Sequence, residues 1–192
     1  MEIPQKVLNK FMVREDYLEW IKNETSIFVY LDLTNIFHWQ DELGWKFRIE
    51  DMIGQLFTFP NVKEVKVYYG KNERDLKNSE AFHNRIKKTG AILRTKSMKF
   101  ISKTIQEGMF FQRKTLTLFD GGVKGKIHEL IDELQKSGIA IKEPKCNFDV
   151  EMTMDMLDDT DKLTAIMLFS GDSDMFAPLE RLKVKGKHIG VV

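Results

Sequence analysis

Cysteine is nearly absent from this 192-residue chain, which contains only Cys146. A single cysteine excludes an intramolecular disulfide and a zinc site built on thiolates, so a bound metal would need oxygen ligands or histidines. The histidines show no metal-ligand spacing: His38, His83, His128 and His188. Long apolar runs are also lacking, and no window approaches the ~20 residues of a membrane-spanning helix. We therefore expect a soluble, cytoplasmic protein that does not associate with membranes.

The formal net charge is only +1, but charges of opposite sign are segregated along the chain. Residues 63–114 contain 14 Lys and Arg against five Asp and Glu, whereas residues 147–180 contain nine Asp and Glu against one Lys. Apolar runs interrupt the acidic segment, which distinguishes it from a solvated acidic tail. The small total therefore hides a basic segment suited to polyanions and an acidic segment suited to cations.

Short apolar runs alternate with helical patterns along the chain. This order predicts a three-layer α/β fold, in which a mostly parallel central sheet has helices on both faces. The strands are expected at residues 26–31, 65–69, 91–94, 139–141, 163–169 and 189–192, and the helices at 48–57, 79–88, 127–136, 148–157 and 176–185.

The predicted domain organisation is simple. Residues 1–25 carry two short amphipathic stretches and are expected to form a helical appendage, and residues 26–192 are expected to form one domain. That domain carries an insertion at about 98–137. Within the insertion, alternating residues around Glu107 and Gly108 predict a β-hairpin arm over 98–119.

Carboxylates stand where the predicted strands end. Asp32 follows the first strand, and Asp172 and Asp174 follow the strand at 163–169. Ligands of open parallel sheets bind beyond the carboxyl ends of the strands, so these side chains converge if the two strands are neighbours. Asp149, at a helix start, is expected to point into the same crevice. Carboxylates held this close repel one another unless a cation lies between them, and Mg²⁺ or Mn²⁺ prefers oxygen ligands.

Helix capping is the alternative interpretation of the same residues. Asp149 and Asp174 both stand where an N-cap is expected, and a capping carboxylate needs no metal. Asp32 is harder to explain by packing, because Asp lowers β-propensity. Taken together, the four carboxylates favour a shared metal site. Other acidic residues are predicted to form a solvated helix end: Asp155, Asp158 and Asp159.

Three sequence blocks resemble the NYN domain, a family of the PIN-like superfamily of metal-dependent nucleases. They are residues 29–35 (VYLDLTN), 145–150 (KCNFDV) and 168–179 (LFSGDSDMFAPL), and the resemblance covers about residues 26–192. The chain departs from the family pattern at Leu33, where Gly is usual, and at Asn147 and Phe148, where Gly and Val are usual.

The resemblance implies a metal-dependent ribonuclease of PIN-like fold. One or two Mg²⁺ or Mn²⁺ ions would activate a water that attacks a phosphodiester of single-stranded or structured RNA. The implied metal centre consists of Asp32, Asp149, Asp172 and Asp174. Asn35 and Ser170 are implied to support these carboxylates at the catalytic site.

An acidic crevice cannot hold a polyanion unaided, so the basic segment is expected to contact RNA phosphates. The candidates follow the second and third predicted strands: Lys71, Arg74, Lys77, Arg94, Lys96 and Lys99. For any one of them, a solvated surface side chain is an equally good interpretation.

Aromatic residues offer further contacts. Trp39 and Trp45, together with His38, suit stacking on unpaired bases, although core packing is the commoner role of tryptophan. Three aromatic residues of the predicted arm are candidates either for stacking on RNA or for packing against a second copy of the protein in a homo-oligomer: Phe100, Phe110 and Phe111.

Two alternative functions stay open. Residues 32–34 and 171–174 resemble parts of haloacid-dehalogenase-type phosphatases, in which a second Asp usually stands two residues after the nucleophile. Here Thr34 occupies that position, and such an enzyme gives no account of Asp149. The other alternative is an RNA-binding NYN module without catalytic activity.

Overall fold

The computed structural model describes residues 15–44, 47–104 and 120–192. The α-helices are α1 (Glu15–Asn23), α2 (Leu33–Leu43), α3 (Ile49–Leu56), α4 (Leu76–Lys88), α5 (Gly121–Lys136), α6 (Asp149–Asp158) and α7 (Phe176–Val184). The strands are β1 (Ile27–Asp32), β2 (Val62–Tyr68), β3 (Ile92–Arg94), β4 (Lys99–Thr104), β5 (Ala140–Lys145), β6 (Ala165–Phe169) and β7 (His188–Val191). Short 3-10 turns lie at Glu73–Asp75, Thr160–Lys162 and Ser173–Met175.

The chain divides into two compact units. One consists of residues up to Lys96 together with Asn147–Val192, and the other of Ser97–Cys146. The first unit contains a five-stranded sheet with the order β3-β2-β1-β6-β7, and every pair in it is parallel. All six residues of the central strand β1 are buried, so both of its faces are covered. The predicted three-layer α/β fold is confirmed.

Helix α3 illustrates how a helix packs on the core. Ile49, Met52, Ile53 and Leu56 are buried, and their spacing puts them on one helix face. They belong to the same apolar cluster as Val29 of β1. Full burial of a side chain of this size stabilises a fold by roughly 1.5–3 kcal/mol. This face is the one that the sequence pattern at 48–57 predicts.

Helix α1 packs against the same core. Ile21 is buried within the apolar cluster. The Trp20 ring lies over Gly190 of β7, where an added Cβ would come within 3.0 Å of the ring. The Tyr17 hydroxyl donates a hydrogen bond to the carbonyl of Val191. The second of the two predicted N-terminal amphipathic stretches is therefore helical and packed, whereas the first lies outside the described residues.

Helix α2 has no counterpart among the predicted elements. It begins at Leu33, directly after the last residue of β1, so no loop separates the strand from the helix. Leu33 and Ile36 are buried and fix its apolar face on the core. Within the ranges that the structure describes, no helix combines the length and apolar character needed to cross a lipid bilayer.

In the second unit, β4 pairs antiparallel with β5, from Lys99 opposite Lys145 to Thr104 opposite Ala140. Helix α5 lies between these strands in sequence, so this ladder is not a hairpin of adjacent strands. The predicted arm over 98–119 has its first strand here. Its turn at Glu107 and Gly108, and its second strand, lie outside the described residues. The strand predicted at 139–141 is present as part of β5, but it pairs with β4 and not with the central sheet.

Candidate functional site

The strand ends that were expected to meet do so at the carboxyl edge of the sheet. β1 and β6 are parallel neighbours, with Leu31 opposite Phe169. Asp32 is the last residue of β1, and Asp172 and Asp174 lie directly after β6. Neighbouring parallel strands end at the same edge, so both segments open into one crevice.

Asp149, Asp172 and Asp174 form a carboxylate cluster. One oxygen atom from each side chain lies within 4.8 Å of the other two. Asp149 is the first residue of α6 and interacts with Asn147 in two ways. Its backbone N–H donates to Asn147 Oδ1 at 2.8 Å, and its carboxylate accepts from Asn147 Nδ2. The cluster is thus held by two elements, the start of α6 and the loop after β6.

Asp32 lies beside the cluster, outside the 4.8 Å group, and is only 8% exposed. Its Oδ1 accepts from the backbone N–H groups of Thr34 at 3.0 Å and Asn35 at 3.4 Å, and its Oδ2 accepts from Asn35 Nδ2 at 2.6 Å. Burial raises the pKa of the Asp32 carboxyl, and the nearby charge of Asp149 raises it as well. The hydrogen bonds from Asn35 and Thr34 oppose this effect, and the net pKa lies above its usual value.

Asn35 and Ser170 connect Asp32 to the loop after β6. Besides Asp32, Asn35 Nδ2 reaches Ser170 Oγ at 3.1 Å. Ser170 is 4% exposed, and its Oγ accepts from the backbone N–H of Asp172 at 3.2 Å. A continuous chain of hydrogen bonds therefore runs from the end of β1 to the cluster. The structure brings together all six residues for which the family resemblance implies a place at the catalytic site.

Capping is carried by different carboxylates from those expected. Asp32 is the side-chain N-cap of α2, and Asp172 caps the turn at Ser173–Met175 by accepting from the backbone N–H of Asp174 at 2.9 Å. Asp149 lies inside the first turn of α6, whose N-cap position is Phe148 without a side-chain cap. The capping interpretation of Asp149 and Asp174 is therefore wrong, and their carboxylates have no capping role.

Trp39 of α2 packs against the loop of the cluster. A Cβ added to Gly171 would lie 3.5 Å from the indole Nε1 of Trp39, which is also part of the apolar packing around the core. This contact agrees with the packing interpretation of Trp39. His38 on the same helix is exposed, and Trp45 lies outside the described residues.

Residues near the start of α6 form a groove beside the cluster. It has a volume of about 220 Å³ and is lined by Asp149, Val150, Thr153, Met154, Asp174 and Met175. Val150 is 68% exposed and Met154 is 58% exposed, so apolar surface is open to solvent next to the carboxylates. Nothing in the sequence pattern separates these two residues from core positions of the same helix.

An acidic stripe runs along the other side of α6 and consists of Glu151, Asp155 and Asp159. The four-residue spacing puts the three carboxylates on one side of the helix and just past its end. Asp159 is 3% exposed and only Asp158 is exposed to solvent, so a solvated helix end is the wrong prediction for Asp155 and Asp159. The stripe pairs with three cations near the sheet: Lys96, Arg94 and Lys66.

Two of these cations were expected to contact RNA. Arg94 donates to Asp155 through Nε at 2.8 Å and through Nη2 at 3.0 Å, which is a two-point contact. Lys96 pairs with Glu151, and its ammonium also lies 4.7 Å from the centre of the Phe148 ring. Both side chains therefore bind α6 to the segment that contains β3.

The other four predicted RNA contacts each lie in a different segment of the chain. Lys71, after β2, lies 3.1 Å from Glu80 of α4. Arg74 belongs to the turn at Glu73–Asp75, and Lys77 belongs to the first turn of α4; both residues are exposed. Lys99 is the first residue of β4 in the second unit.

Lys66 is the most buried cation of these pairs, with 4% of its surface exposed in the middle of β2. Its ammonium donates to Asp159 and lies 3.9 Å from Asp155. The Tyr30 hydroxyl donates to Asp159 at 2.9 Å, and the Tyr68 hydroxyl donates to Asp155 at 2.7 Å. These hydrogen bonds join α6 to β1 and β2, and they fix the helix whose first residue is Asp149.

The charges of Asp155 and Asp159 are stabilised despite burial. Burial alone would raise their pKa values, but hydrogen bonds outweigh it, from Arg94 and Tyr68 on Asp155 and from Lys66 on Asp159. The pKa values of both carboxyls therefore lie below the usual range. Burial and the neighbouring carboxylates raise the pKa of Tyr30, so its hydroxyl remains a donor.

Breaking this buried pairing is expected to destabilise the protein. Lys66→Met leaves Asp159 and Asp155 without the ammonium, and loss of one partner of a buried ion pair costs roughly 3–5 kcal/mol of unfolding free energy. Lys63→Met is the matched control, because Lys63 is an exposed residue of the same strand. Its effect is expected to stay within about 0.5 kcal/mol in urea unfolding. Equal losses in both variants would contradict the role of Lys66.

Acid is expected to weaken the same interactions. A carboxyl whose pKa is lower in the folded state stabilises the fold above its unfolded pKa, and this contribution is lost as the pH falls through the folded pKa. The free energy of unfolding should therefore decrease below about pH 4. Asp159→Asn should flatten this decrease, whereas Asp158→Asn, at an exposed position, should not. Urea titrations between about pH 3 and 6 measure this pH dependence of the unfolding free energy. The same pH dependence in both variants would exclude Asp159 as a contributor to it.

The cluster has the chemistry of a divalent-cation site. Three carboxylates offer hard oxygen ligands, and their mutual repulsion is relieved by a cation between them. Asp32, whose oxygens already accept three hydrogen bonds, is oriented beside them. Mg²⁺ or Mn²⁺ fits this donor set better than a metal that prefers thiolate or imidazole.

Comparison with known proteins agrees with the resemblance. Residues 114–192 match the family described as NYN domain. The low amplitude and bright protein LabA of Synechococcus elongatus is 24% identical over 164 residues, which are 85% of this chain and 71% of LabA. A crystal structure of a protein of unknown function from Vibrio parahaemolyticus is similar with a TM-score of 0.53 and 16% identity, over 88% of this chain and 80% of that one. At this identity the structural likeness supports a shared fold.

The parallel sheet defines an α/β protein, and the part of the chain at residues 114–192 is similar to the NYN domain. The matched residues contain the cluster, and the block around Asp32 precedes them in sequence.

Metal binding is expected to raise the thermal stability of the protein. A ligand present at 100 times its Kd stabilises the folded state by about 2.7 kcal/mol, so Mn²⁺ should raise the Tm. Asp174→Asn should reduce this increase with little effect on the metal-free Tm, because Asp174 is exposed and is not a cap. Asp158→Asn should keep the full increase. A Mn²⁺ response that is the same in all three proteins would rule out the cluster as the binding site.

Proposed function

We propose that this protein is a Mg²⁺- or Mn²⁺-dependent ribonuclease that hydrolyses RNA phosphodiester bonds at the carboxylate cluster, with Asp32 beside it. The observation that carries the proposal is the meeting of Asp149, Asp172 and Asp174 within 4.8 Å at the carboxyl edge of the sheet. The NYN domain supports it, because this domain indicates a nuclease-like family and RNA as substrate or partner.

The chain's own residues have distinct roles in this proposal. Asp149, Asp172 and Asp174 would hold the cation. The bound cation would supply activation of water for attack at phosphorus and neutralisation of charge on the leaving oxygen. Asn35 and Ser170 hold Asp32 and the loop of the cluster in fixed positions through the hydrogen bonds between them.

Contacts to the RNA strand are divided between charged and apolar side chains. Arg74 and Lys77 are exposed beyond β2 and suit phosphate contacts. Arg94 and Lys96 pair with carboxylates of α6, so their contribution to the site is chiefly to hold that helix. Val150 and Met154 give an unpaired base an apolar surface beside the cluster. A single-stranded segment is therefore the substrate that fits best at the point of cleavage.

The cleavage assay uses short single-stranded and structured RNAs with Mn²⁺ or Mg²⁺. Asp172→Asn should lower the rate by roughly 10²-fold or more, because it removes charge from the cation site. Asn is as good an N-cap as Asp, so the turn at Ser173–Met175 should be preserved. Asp158→Asn is the matched control and should cleave like the native protein. Equal cleavage by all three proteins would mean that the cluster is not the site.

A phosphatase substrate and an RNA-binding measurement, used beside the cleavage assay, distinguish the alternative functions. Hydrolysis of p-nitrophenyl phosphate without cleavage of RNA would favour a phosphatase, which the presence of Thr34 two residues after Asp32 makes the weaker proposal. RNA binding without cleavage at any metal concentration would favour a module that has lost catalysis.

A further inference from the structure

A second cavity, separate from the carboxylate cluster, lies beside α4. It has a volume of about 380 Å³ and is lined by Lys71, Glu80, His83, Asn84, Lys87 and Thr95. Glu80, His83, Asn84 and Lys87 stand at positions i, i+3, i+4 and i+7, so they occupy one face of α4. Lys71 and Thr95 come from the segments after β2 and β3. One helix face and two strand-end segments therefore build the cavity.

His83 is the unusual member of this cavity, because its side chain is buried and yet carries an unpaired polar atom. The residue is 5% exposed, and its ring packs against the rings of Tyr69 and Phe82. It hydrogen-bonds to the backbone of Gly70, whereas its Nε2 is buried without a hydrogen-bond partner in the described part of the chain. An unpaired buried polar atom costs about 1–3 kcal/mol, and in native proteins it points to a missing water, ion or ligand.

The charges around His83 favour an anion. Burial lowers the pKa of His83, and the positive charges of Lys87 and Lys71 lower it further, whereas Glu80 acts in the opposite direction. Glu80 lies 3.1 Å from Lys71 and offsets part of its charge. The other groups that face the ring, Tyr69 and Phe82, carry no charge. An anion in the cavity would interact with both ammonium groups and would favour the protonated imidazole.

The cavity is connected to the edge of the sheet that carries the cluster. The backbone N–H of Lys71 donates to the carbonyl of Lys96 at 2.8 Å, and Thr95 directly precedes Lys96. The Lys96 side chain pairs with Glu151, two residues after Asp149 of the cluster. A strand held at the cluster can therefore continue along this edge toward the cavity.

We propose that this cavity is a phosphate subsite for a nucleic-acid strand, an inference that rests on the proposed ribonuclease function. Lys71, Lys87, the Asn84 amide and the Thr95 hydroxyl donate to the phosphate oxygens. His83 takes up a proton on Nε2 when the phosphate binds, and that N–H becomes a further donor. The phosphate is either an internal phosphodiester or a terminal monoester, since the donors recognise the chemistry that both share.

Binding measured in EDTA tests the subsite without cleavage. Fluorescence anisotropy with a 3′-labelled single-stranded RNA should show weaker binding by Lys87→Ala, with a salt dependence that is shallower by about 0.7 in log–log slope. Lys88→Ala is the matched control, because Lys88 is an exposed neighbour that does not line the cavity. Its slope should be that of the native protein. Equal losses in both variants would overturn the proposal.

Two RNAs distinguish the source of the phosphate. If Lys87→Ala weakens binding of 5′-hydroxyl and 5′-phosphate RNA equally, the subsite holds an internal phosphodiester. If only the 5′-phosphate RNA is affected, the subsite holds the strand end. If neither RNA is affected, there is no phosphate subsite.

The proton on His83 has its own test. Native protein should bind RNA more tightly as the pH falls from about 7.5 to 5.5, because binding is linked to protonation of the imidazole. His83→Phe keeps an aromatic ring against Tyr69 and Phe82 and should make the affinity nearly independent of pH in this range. A native affinity that does not change with pH, or a variant that keeps the native dependence, would overturn the assignment of His83.

These outcomes are separable from those of the cleavage assay. Loss of binding in Lys87→Ala, together with no cleavage by the native protein, would keep the subsite and exclude the nuclease. Unchanged binding in Lys87→Ala, together with metal-dependent cleavage by the native protein, would exclude the subsite and keep the nuclease.

Discussion

The ion pair between Lys66 and Asp159 removes two charges from water next to the central strand of the sheet. The position of the carboxylate cluster depends on the interactions that stabilise these two charges. Each needs several partners, which come from different elements: Tyr30 from β1, Lys66 from β2 and Asp155 from α6. These hydrogen bonds and ion pairs fix both the rotation of α6 about its axis and its position along the sheet. Asp149 begins that helix, so the geometry of the carboxylate cluster depends on an interaction at the opposite end of α6.

Part of the charge that is segregated along the sequence stabilises the fold through ion pairs. Three of the nine acidic residues in the segment, Glu151, Asp155 and Asp159, pair with Lys96, Arg94 and Lys66. The carboxylates that meet in the cluster, Asp149, Asp172 and Asp174, lie on both sides of these residues in the sequence.

Much of the sheet and the site was predictable from sequence because the signals are local. Continuous apolar runs mark β1 and β6, and Asp32, Asp172 and Asp174 stand at their ends. The role of Asp159 was not predictable, because its partner Lys66 is 93 residues away in the sequence. No local pattern distinguishes a lysine that is buried in a strand from a lysine on the surface. Helix α2 has no predicted counterpart because Asp32 is both the last residue of a strand and a helix N-cap, and the apolar run before it indicates only the strand. His83 likewise gave no signal, since its burial depends on Tyr69 from another element.

The contact between Trp39 and Gly171 gives the protein an internal optical reporter. The indole Nε1 lies against the segment between Ser170 and Asp172, and indole emission responds to the polarity and charge of its surroundings. A cation bound at the cluster would change the charge at Asp172, which is adjacent in sequence to the glycine that Trp39 contacts. The intrinsic fluorescence of the unlabelled protein can therefore follow the state of the loop in real time, and replacement of Trp39 by another aromatic residue identifies its share of the signal.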